Sequence, residues 1–221
     1  MNSDEARLLG MHIGDGSLYK TGTNSIVWEI RGSKEERDFY DLFVCMLLKR
    51  VFNIGLKAKN RSGGAHGCYG IQTCNKDIIN FFLNNEVKAG SKLYTSEIPL
   101  KIKTSSRAIK CAFIGGLFDT DGCVRLEKNR TKRYYYPKIE FGFASQKLSR
   151  DLFLLLSELG FKAYKWRDKE YFKICLAGFD NLKKWFKEIK PMNSKHFKRI
   201  SALKDYAPMA QWYGADLFRK I

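Results

Sequence analysis

One short pattern occurs twice in this chain: an apolar segment that ends in Asp-Gly. Residues 8–16 read Leu-Leu-Gly-Met-His-Ile-Gly-Asp-Gly, and residues 114–122 read Ile-Gly-Gly-Leu-Phe-Asp-Thr-Asp-Gly, so that Asp15 aligns with Asp121. A carboxylate at the C-terminal end of a helix lies at the negative end of the macrodipole, where a cation is favoured. The pattern therefore predicts two apolar helices that each present a carboxylate to a positive group such as a divalent metal ion.

Small residues in these segments indicate that the two helices pack against each other. Gly10 and Gly14 lie four positions apart, as do Gly116 and Thr120. Positions four apart share a helix face, and small residues there allow close approach. The glycine after each aspartate suits the left-handed C′ position of a helix. One Asp-Gly alone would indicate only a turn after a core helix, whereas two copies in register favour a paired site.

Alternation of apolar residues and capping signals extend the repeat to most of the chain. Each motif helix precedes a hairpin, a capped helix, a second hairpin and another helix. The sequence therefore predicts an α+β fold of two pseudo-symmetric αββαββα units, each a four-stranded antiparallel sheet covered by helices, joined through the motif helices. Expected boundaries are 1–88 for the first repeat, 89–106 for a connector, 107–190 for the second repeat, and 191–221 for a C-terminal helical extension without a counterpart in the first half.

Some local expectations are more specific. Ser3 or Asp4 is expected to cap the first helix, and Ser33 is expected to cap one long helix over 34–53. Ser145 is the matching cap in the second unit, where the helix is shorter.

The charge indicates the class of partner. The chain carries 40 Lys and Arg against 23 Asp and Glu, a formal net charge of +17. Nucleic acid is the expected partner of such a field. No apolar run reaches the roughly 18 residues of a membrane span, so no membrane association is expected. The six cysteines form no CxxC pair, which argues against structural zinc and favours an intracellular protein, cytoplasmic, nucleoid or organellar, with reduced thiols.

Polar residues on the predicted strands are candidates for contact with DNA, because β-ribbons fit the major groove and read bases from one face. The candidates are Glu29, Arg31, Lys57, Lys59, Arg61, Gln72, Arg130, Lys132, Arg133, Lys138, Glu140, Lys165, Arg167 and Lys173.

The doubled motif, the αββαββα order and the stretch from Ile98-Pro99 to Gly122 resemble the LAGLIDADG homing endonucleases in their monomeric two-repeat form. The resemblance covers roughly residues 5–190. It implies a metal-dependent, sequence-specific endonuclease that hydrolyses double-stranded DNA across the minor groove and leaves staggered 3′-overhanging ends.

The resemblance also implies roles for individual residues. Asp15 and Asp121 would bind Mg²⁺, with Mn²⁺ or Ca²⁺ able to occupy the site, and the carbonyls of Gly14 and Thr120 would contribute ligands. Asp119 is interpreted as a helix-end or interface residue, because the first motif has an isoleucine at that position.

The basic group that assists catalysis in this family has three candidates in the chain: Arg31, Arg125 and Lys20. Plain phosphate contact is the alternative role for each. In the second half, the position that matches Arg31 is expected at Phe143 or Ala144.

Other functions are compatible with the same fold. An RNA-splicing maturase or a non-cleaving DNA-binding protein would share it, although retention of both aspartates favours cleavage. An intein-derived nuclease is disfavoured, because the chain begins with Met and lacks splice-junction residues. The expectation is an intron-encoded, free-standing monomer that acts on a long, weakly symmetric DNA target.

Overall fold

The computed structural model describes residues 1–22, 25–62, 67–128 and 135–201. Within these ranges the two halves repeat the order helix, two strands, helix, two strands, helix. The helices are α1 (Ser3–Asp15), α2 (Cys45–Phe52), α3 (Lys76–Asn84), α4 (Leu100–Lys103), α5 (Arg107–Asp121), α6 (Gln146–Glu158), α7 (Phe179–Glu188) and α8 (Ser194–Ser201). The strands are β1 (Gly16–Thr21), β2 (Ser25–Ser33), β3 (Lys59–Arg61), β4 (Cys68–Thr73), β5 (Cys123–Lys128), β6 (Tyr135–Phe143), β7 (Ala163–Asp168) and β8 (Tyr171–Ala177).

The strands form two four-stranded sheets of the same topology. Their orders are β1-β2-β4-β3 and β5-β6-β8-β7, and every neighbouring pair is antiparallel. The predicted α+β architecture of two matching units is confirmed.

The two motif helices pack in direct backbone contact, as the small residues predict. A Cβ atom added to Gly10 would lie 2.0 Å from the carbonyl oxygen of Phe113, and one added to Gly116 would lie 2.0 Å from that of Arg7. Because each obstacle is backbone rather than a movable side chain, only glycine permits this approach. The α1–α5 pair therefore joins the two halves and brings the helix ends together.

Each sheet has one apolar face and one polar face, because side chains alternate along a strand. Trp28 and Ile30 of β2, and Phe141 and Ile174 in the second sheet, are almost fully buried against the helices. No helix in the described part of the chain is long and apolar enough to cross a bilayer.

The long helix expected over 34–53 is instead segmented. A 3₁₀ turn at Lys34–Glu36 leads into a π-helical stretch at Phe39–Val44, and only Cys45–Phe52 is regular α-helix. The π stretch includes the hydrogen bond from the Cys45 amide to the Tyr40 carbonyl, and it buries Phe39, Tyr40 and Val44 together. Its wider turn thus inserts two aromatic rings into the core.

The capping predictions are partly confirmed. Ser33 accepts a hydrogen bond from the amide of Glu35, and Ser145 accepts one from that of Leu148. The cap of α1 is Asn2, not Ser3 or Asp4, because Asn2 and Glu5 form a reciprocal capping box.

Candidate metal centre and nucleic-acid interface

The backbone after each motif helix is extended, so the predicted left-handed turn is wrong. Gly16 has φ −77° and ψ 159°, and Gly122 has φ −84° and ψ 158°. Glycine is needed here for space. A Cβ at Gly16 would lie 2.4 Å from Nδ1 of His12, and one at Gly122 would lie 1.9 Å from the ring of Phe118. Each helix therefore passes directly into the first strand of its sheet.

The two motif carboxylates lie at the adjoining ends of α1 and α5. Asp15 is half-buried and Asp121 is exposed. A Cβ on Gly14 would lie 3.4 Å from the carboxyl carbon of Asp121, which shows how near the end of α1 this group is. Loss of hydration, followed by the charge of Asp121, raises the pKa of Asp15 to about 7. The pKa of Asp121 is also raised, chiefly by loss of hydration.

Two lysines supply positive charge to the helix ends. Nζ of Lys92 donates to the carbonyls of His12, Ile13 and Gly14 at 2.6, 2.8 and 2.5 Å. Nζ of Lys195 donates to the carbonyl of Thr120 at 2.9 Å. Gly14 and Thr120 occupy the same position in the two motifs, one residue before the aspartate. Each ammonium group therefore compensates the negative end of one helix dipole.

The two lysines differ in their own partners. Lys195 forms an ion pair with Oε1 of Glu36 at 3.0 Å, and the same oxygen accepts from Nδ2 of Asn193 at 2.6 Å. The second half has Leu148 in the place of Glu36, counting from the matching serine caps. No carboxylate of the described residues lies within ion-pair distance of Lys92. Loss of hydration lowers the pKa of Lys92 to about 8, although both motif aspartates oppose this shift.

Asp119 is an interface residue, as its single occurrence suggests. It is fully buried, forms an ion pair with Nη1 of Arg7 at 3.0 Å, and accepts from the amides of Met192 and Asn193 at 2.7 and 3.0 Å. Burial raises its pKa to about 6, against the opposing effect of Arg7. This carboxylate therefore fixes the segment before α8, which carries Lys195, to both motif helices.

The donor set fits a divalent metal at the two aspartates. Among the described residues, no three His, Cys, Asp or Glu side chains form a ready-made metal cage. The charge of Asp121 raises the pKa of Asp15, and a hard cation between the two carboxylates would offset this repulsion. The carbonyls of Gly14 and Thr120, by contrast, are engaged by lysine ammonium groups. The structure thus supports carboxylate ligands more directly than the predicted carbonyl ligands.

The three predicted basic assistants lie at different distances from the carboxylates. Arg31 is closest in register, because it follows Ile30, the partner of Gly16. Arg125 lies further along β5 and pairs with Glu140 at 3.2 Å. Lys20 lies four residues beyond Gly16, about 13 Å at 3.3 Å per residue, so the structure does not bring it to the site.

The sequence predicted Phe143 or Ala144 as the second-half counterpart of Arg31, and the strand pairing shows that this prediction is wrong. Ser17 pairs with Glu29, and Cys123 pairs with Glu140, each two residues after a motif aspartate. Two steps further along the strands, the counterpart of Arg31 is Gly142. The prediction failed because it was anchored on the helix cap, and β6 leaves one more residue than β2 between strand and cap.

The polar face of each sheet collects most of the predicted DNA contacts. Strand registers place these residues opposite one another on the face that points away from the core. In the first sheet they are Glu29, Arg31, Lys59, Arg61 and Gln72, and in the second they are Lys138, Glu140 and Lys173.

The remaining candidates are located elsewhere. Lys165 and Arg167 share the apolar face, because they pair with Ile174 and Phe172, and Nζ of Lys165 lies 4.9 Å from the ring centroid of Phe153 in α6. The prediction that these two residues face DNA is therefore wrong, because in β7 the other set of alternating residues points to the polar side. Exposed Lys57 lies two residues before β3 and so outside the sheet. Arg130, Lys132 and Arg133 lie outside the described residues.

Comparison with known proteins identifies this architecture. The LAGLIDADG-like domain family matches residues 108–190. A structure of variants of the homing endonuclease I-DmoI aligns with TM-score 0.60 and 18% identity, over 86% of this chain and 97% of that one. The chain therefore has the fold of the two-repeat homing endonucleases, and its second half matches the LAGLIDADG-like domain family. A mutant of I-SmaMI aligns with TM-score 0.62 and 14% identity, over 96% of this chain and 92% of its own.

The curated relatives of the chain are much longer than the chain itself. An uncharacterised protein of Methanocaldococcus jannaschii is 29% identical over 171 residues, which are 74% of this chain and 17% of that protein. The ATP-dependent DNA helicase Hel308 of Thermococcus kodakarensis is 26% identical over 161 residues, which are 73% of this chain and 13% of the helicase. The chain thus spans less than a fifth of these relatives.

Sequence reasoning missed the two lysines at the ends of the motif helices. Lys92 lies in the predicted connector and Lys195 in the predicted C-terminal extension, so the segment around Lys195 does have a counterpart in the first half. A signal was present: the dipeptides Ser91-Lys92 and Ser194-Lys195 follow the motif aspartates at similar separations. Neither lysine belongs to a periodic pattern, so neither helical spacing nor strand alternation identifies it.

Proposed function

We propose that the protein is a sequence-specific endonuclease that hydrolyses double-stranded DNA at a site centred on Asp15 and Asp121. The observation that carries this proposal is the juxtaposition of the two carboxylates with two lysines at the adjoining ends of α1 and α5. Solved relatives of the same fold include I-DmoI in complex with DNA and Mn, and I-SmaMI bound to uncleaveable DNA. The partner class agrees with the net charge of +17.

The two polar sheet faces are the proposed DNA-binding surface. They lie on either side of the paired motif helices. The first exposes Arg31, Lys59 and Gln72, and the second carries the half-buried Lys138 and Lys173. One chain supplies both halves, so a monomer suffices for a long, weakly symmetric target.

Asp15 and Asp121 are the proposed ligands of Mg²⁺, which would supply activation of water and stabilisation of the leaving oxygen. Each carboxylate serves one strand, and the predicted product has 3′-overhanging ends. The ammonium groups of Lys92 and Lys195, at the helix ends beside the carboxylates, would stabilise the negative charge that grows on the phosphate oxygens during hydrolysis. Because the pKa of Lys92 is about 8, this lysine can also exchange a proton near neutral pH.

The experiment that tests the function uses purified protein, a randomised duplex library and Mg²⁺, followed by sequencing of the cleaved ends. We expect one long preferred site, and no product in EDTA. Tight duplex binding without cleavage in Mg²⁺ or Mn²⁺ would contradict the nuclease and support the non-cleaving alternative on the same fold.

Variants of the two aspartates test whether these carboxylates are required for DNA cleavage. Asp15→Asn and Asp121→Asn each remove one carboxylate without changing its volume, and each is expected to abolish double-strand cleavage while duplex binding persists. Lys165→Ala is the control, because Lys165 lies on the apolar face of the sheet. Normal double-strand cleavage by either Asn variant would show that the metal assignment is wrong.

A further inference from the structure

The two sheets carry a basic side chain at the same place but supply it from different strands. Ser17 and Cys123 each lie two residues after a motif aspartate. Ser17 pairs with Glu29 and Cys123 pairs with Glu140, so Glu29 and Glu140 occupy matching positions. Arg31 of β2 therefore matches Gly142 of β6.

The neighbouring strand shows the reverse exchange. Arg31 pairs across the sheet with Gly70 of β4, and Gly142 pairs with Lys173 of β8. Where the first half has arginine on the second strand and glycine on the fourth, the second half has glycine on the second strand and lysine on the fourth.

The packing explains why each cation stands opposite a glycine. A Cβ on Gly142 would lie 2.8 Å from Nζ of Lys173 and 3.2 Å from its Cδ, so the lysine crosses over the glycine towards β6. A Cβ on Gly70 would lie 2.9 Å from Cβ of Arg31 and 2.1 Å from the carbonyl oxygen of Ile30. Each residue pair therefore carries one long basic side chain, Arg31 in the first half and Lys173 in the second.

Neither cation is neutralised by a close ion pair. The guanidinium of Arg31 lies 3.8 Å from Glu29, at the limit of an ion pair, and its side chain is 46% exposed. Among the described residues, no carboxylate lies within ion-pair distance of Lys173, whose ammonium lies 5.6 Å from the ring centroid of Tyr171. Both groups therefore face the polar side of their sheet with charge available to an anion.

We propose that Arg31 and Lys173 are equivalent DNA-phosphate contacts, one in each half, placed where each sheet adjoins its motif carboxylate. This inference rests on the proposed DNA-binding function and adds a specific contact to it. The alternative is that Lys173 only covers Gly142, in which case its charge is irrelevant to DNA. Phosphate contact and packing are distinguishable, because a phosphate contact contributes about one unit to the slope of log affinity against log salt concentration.

The test transplants the first-half arrangement into the second half. Lys173→Ala removes the cation, and Gly142→Arg together with Lys173→Ala returns one from β6. The transplant fits because the obstacles to a Cβ at Gly142 are atoms of the lysine that has been removed. The reciprocal exchange is not feasible, because the obstacle at Gly70 includes the backbone of Ile30.

Binding to a mixed-sequence duplex several helical turns long is measured in EDTA, from about 50 to 200 mM salt. We expect Lys173→Ala to bind about fivefold to tenfold more weakly, with a slope reduced by about one, and the double variant to recover both. Lys165→Ala is the control, with unchanged slope. Far-UV circular dichroism monitors folding, and Lys173→Gln replaces Lys173→Ala if the latter unfolds.

The outcomes separate the inference from the function. If the wild type binds duplex with strong salt dependence but Lys173→Ala has the same slope, the inference is wrong and the DNA-binding proposal stands. Loss of slope that Gly142→Arg does not restore would also refute it, because the two positions would then not be equivalent. A wild type without salt-dependent duplex binding would overturn both.

Discussion

Replacing Asp15 by asparagine is expected to abolish cleavage and yet stabilise the fold at alkaline pH. The folded protein holds the pKa of Asp15 at about 7, against 3.8 for an unperturbed aspartate, because burial and Asp121 disfavour its charge. One pKa unit corresponds to about 1.36 kcal/mol, so the ionised carboxylate destabilises the fold by up to about 4 kcal/mol. Since Asp15 is only half-buried and solvent screens part of this effect, we expect about 2 kcal/mol.

Asp15→Asn is expected to stabilise the fold only above about pH 4, because the pKa of Asp15 is higher in the folded than in the unfolded protein. Below about pH 4 the carboxyl is neutral in both the folded and unfolded states, and Asp15→Asn has no electrostatic effect. As pH rises from about 4 to 7, the unfolded chain ionises first, and the wild type progressively loses stability. The difference between variant and wild type should therefore widen over this window and then stay constant.

Urea denaturation in EDTA at pH 5 and pH 8 measures the difference, which in a chain of this length corresponds to about 4–8 °C in Tm at pH 8. Asp119→Asn is the matched control on the same pair of helices. It should destabilise the fold at pH 8 despite the raised pKa of Asp119, because asparagine leaves the largely buried guanidinium of Arg7 without a charged partner and weakens two backbone hydrogen bonds. An Asp15→Asn protein no more stable than the wild type at pH 8 would refute the proposed repulsion.

Three further predictions concern the helix interface and the lysines. Gly10→Ala should lower the free energy of unfolding in the urea assay by about 1–3 kcal/mol, because its Cβ meets a backbone carbonyl. Gly55→Ala is the control: open space surrounds this position, so the free energy of unfolding should change by less than about 0.5 kcal/mol. Duplex affinity should fall as pH rises through about 8, where Lys92 loses its charge, and Lys92→Met should remove that step from the binding profile. Glu36→Gln should slow nicking of one DNA strand by about tenfold relative to the other, because it releases only Lys195; equal slowing of both strands would contradict this.

The sequence was most informative where residue type and spacing act locally. Glycines four residues apart on two apolar helices predict close helix packing, and the aspartates at the helix ends follow from it. The pairing of the two strands within each hairpin also followed, because a short turn places its two strands side by side. These features depend on backbone space and on alternation, and both can be read from a single segment.

The lysines and the strand phases depended on contacts between distant segments. Lys92 reaches α1 from a connector without regular periodicity, and Lys195 is placed by Asp119, which lies 76 residues earlier in the chain. Lys165 alternates like a DNA-facing residue, and only its pairing with Ile174 shows that it faces the helices. A basic strand residue does not by itself reveal which face it occupies.

The asymmetry between the halves has a physical consequence for the whole site. Arg7 of α1, Asp119 of α5 and Glu36 after β2 all bind the short segment that ends in Lys195. The cation at the end of α5 is therefore positioned jointly by both halves, whereas Lys92 is positioned by carbonyls of the first half alone. A displacement of one half against the other would disturb Lys195 first. The buried aspartate that occurs in only one motif thus couples the packing of the motif helices to the charge at one of the two carboxylates.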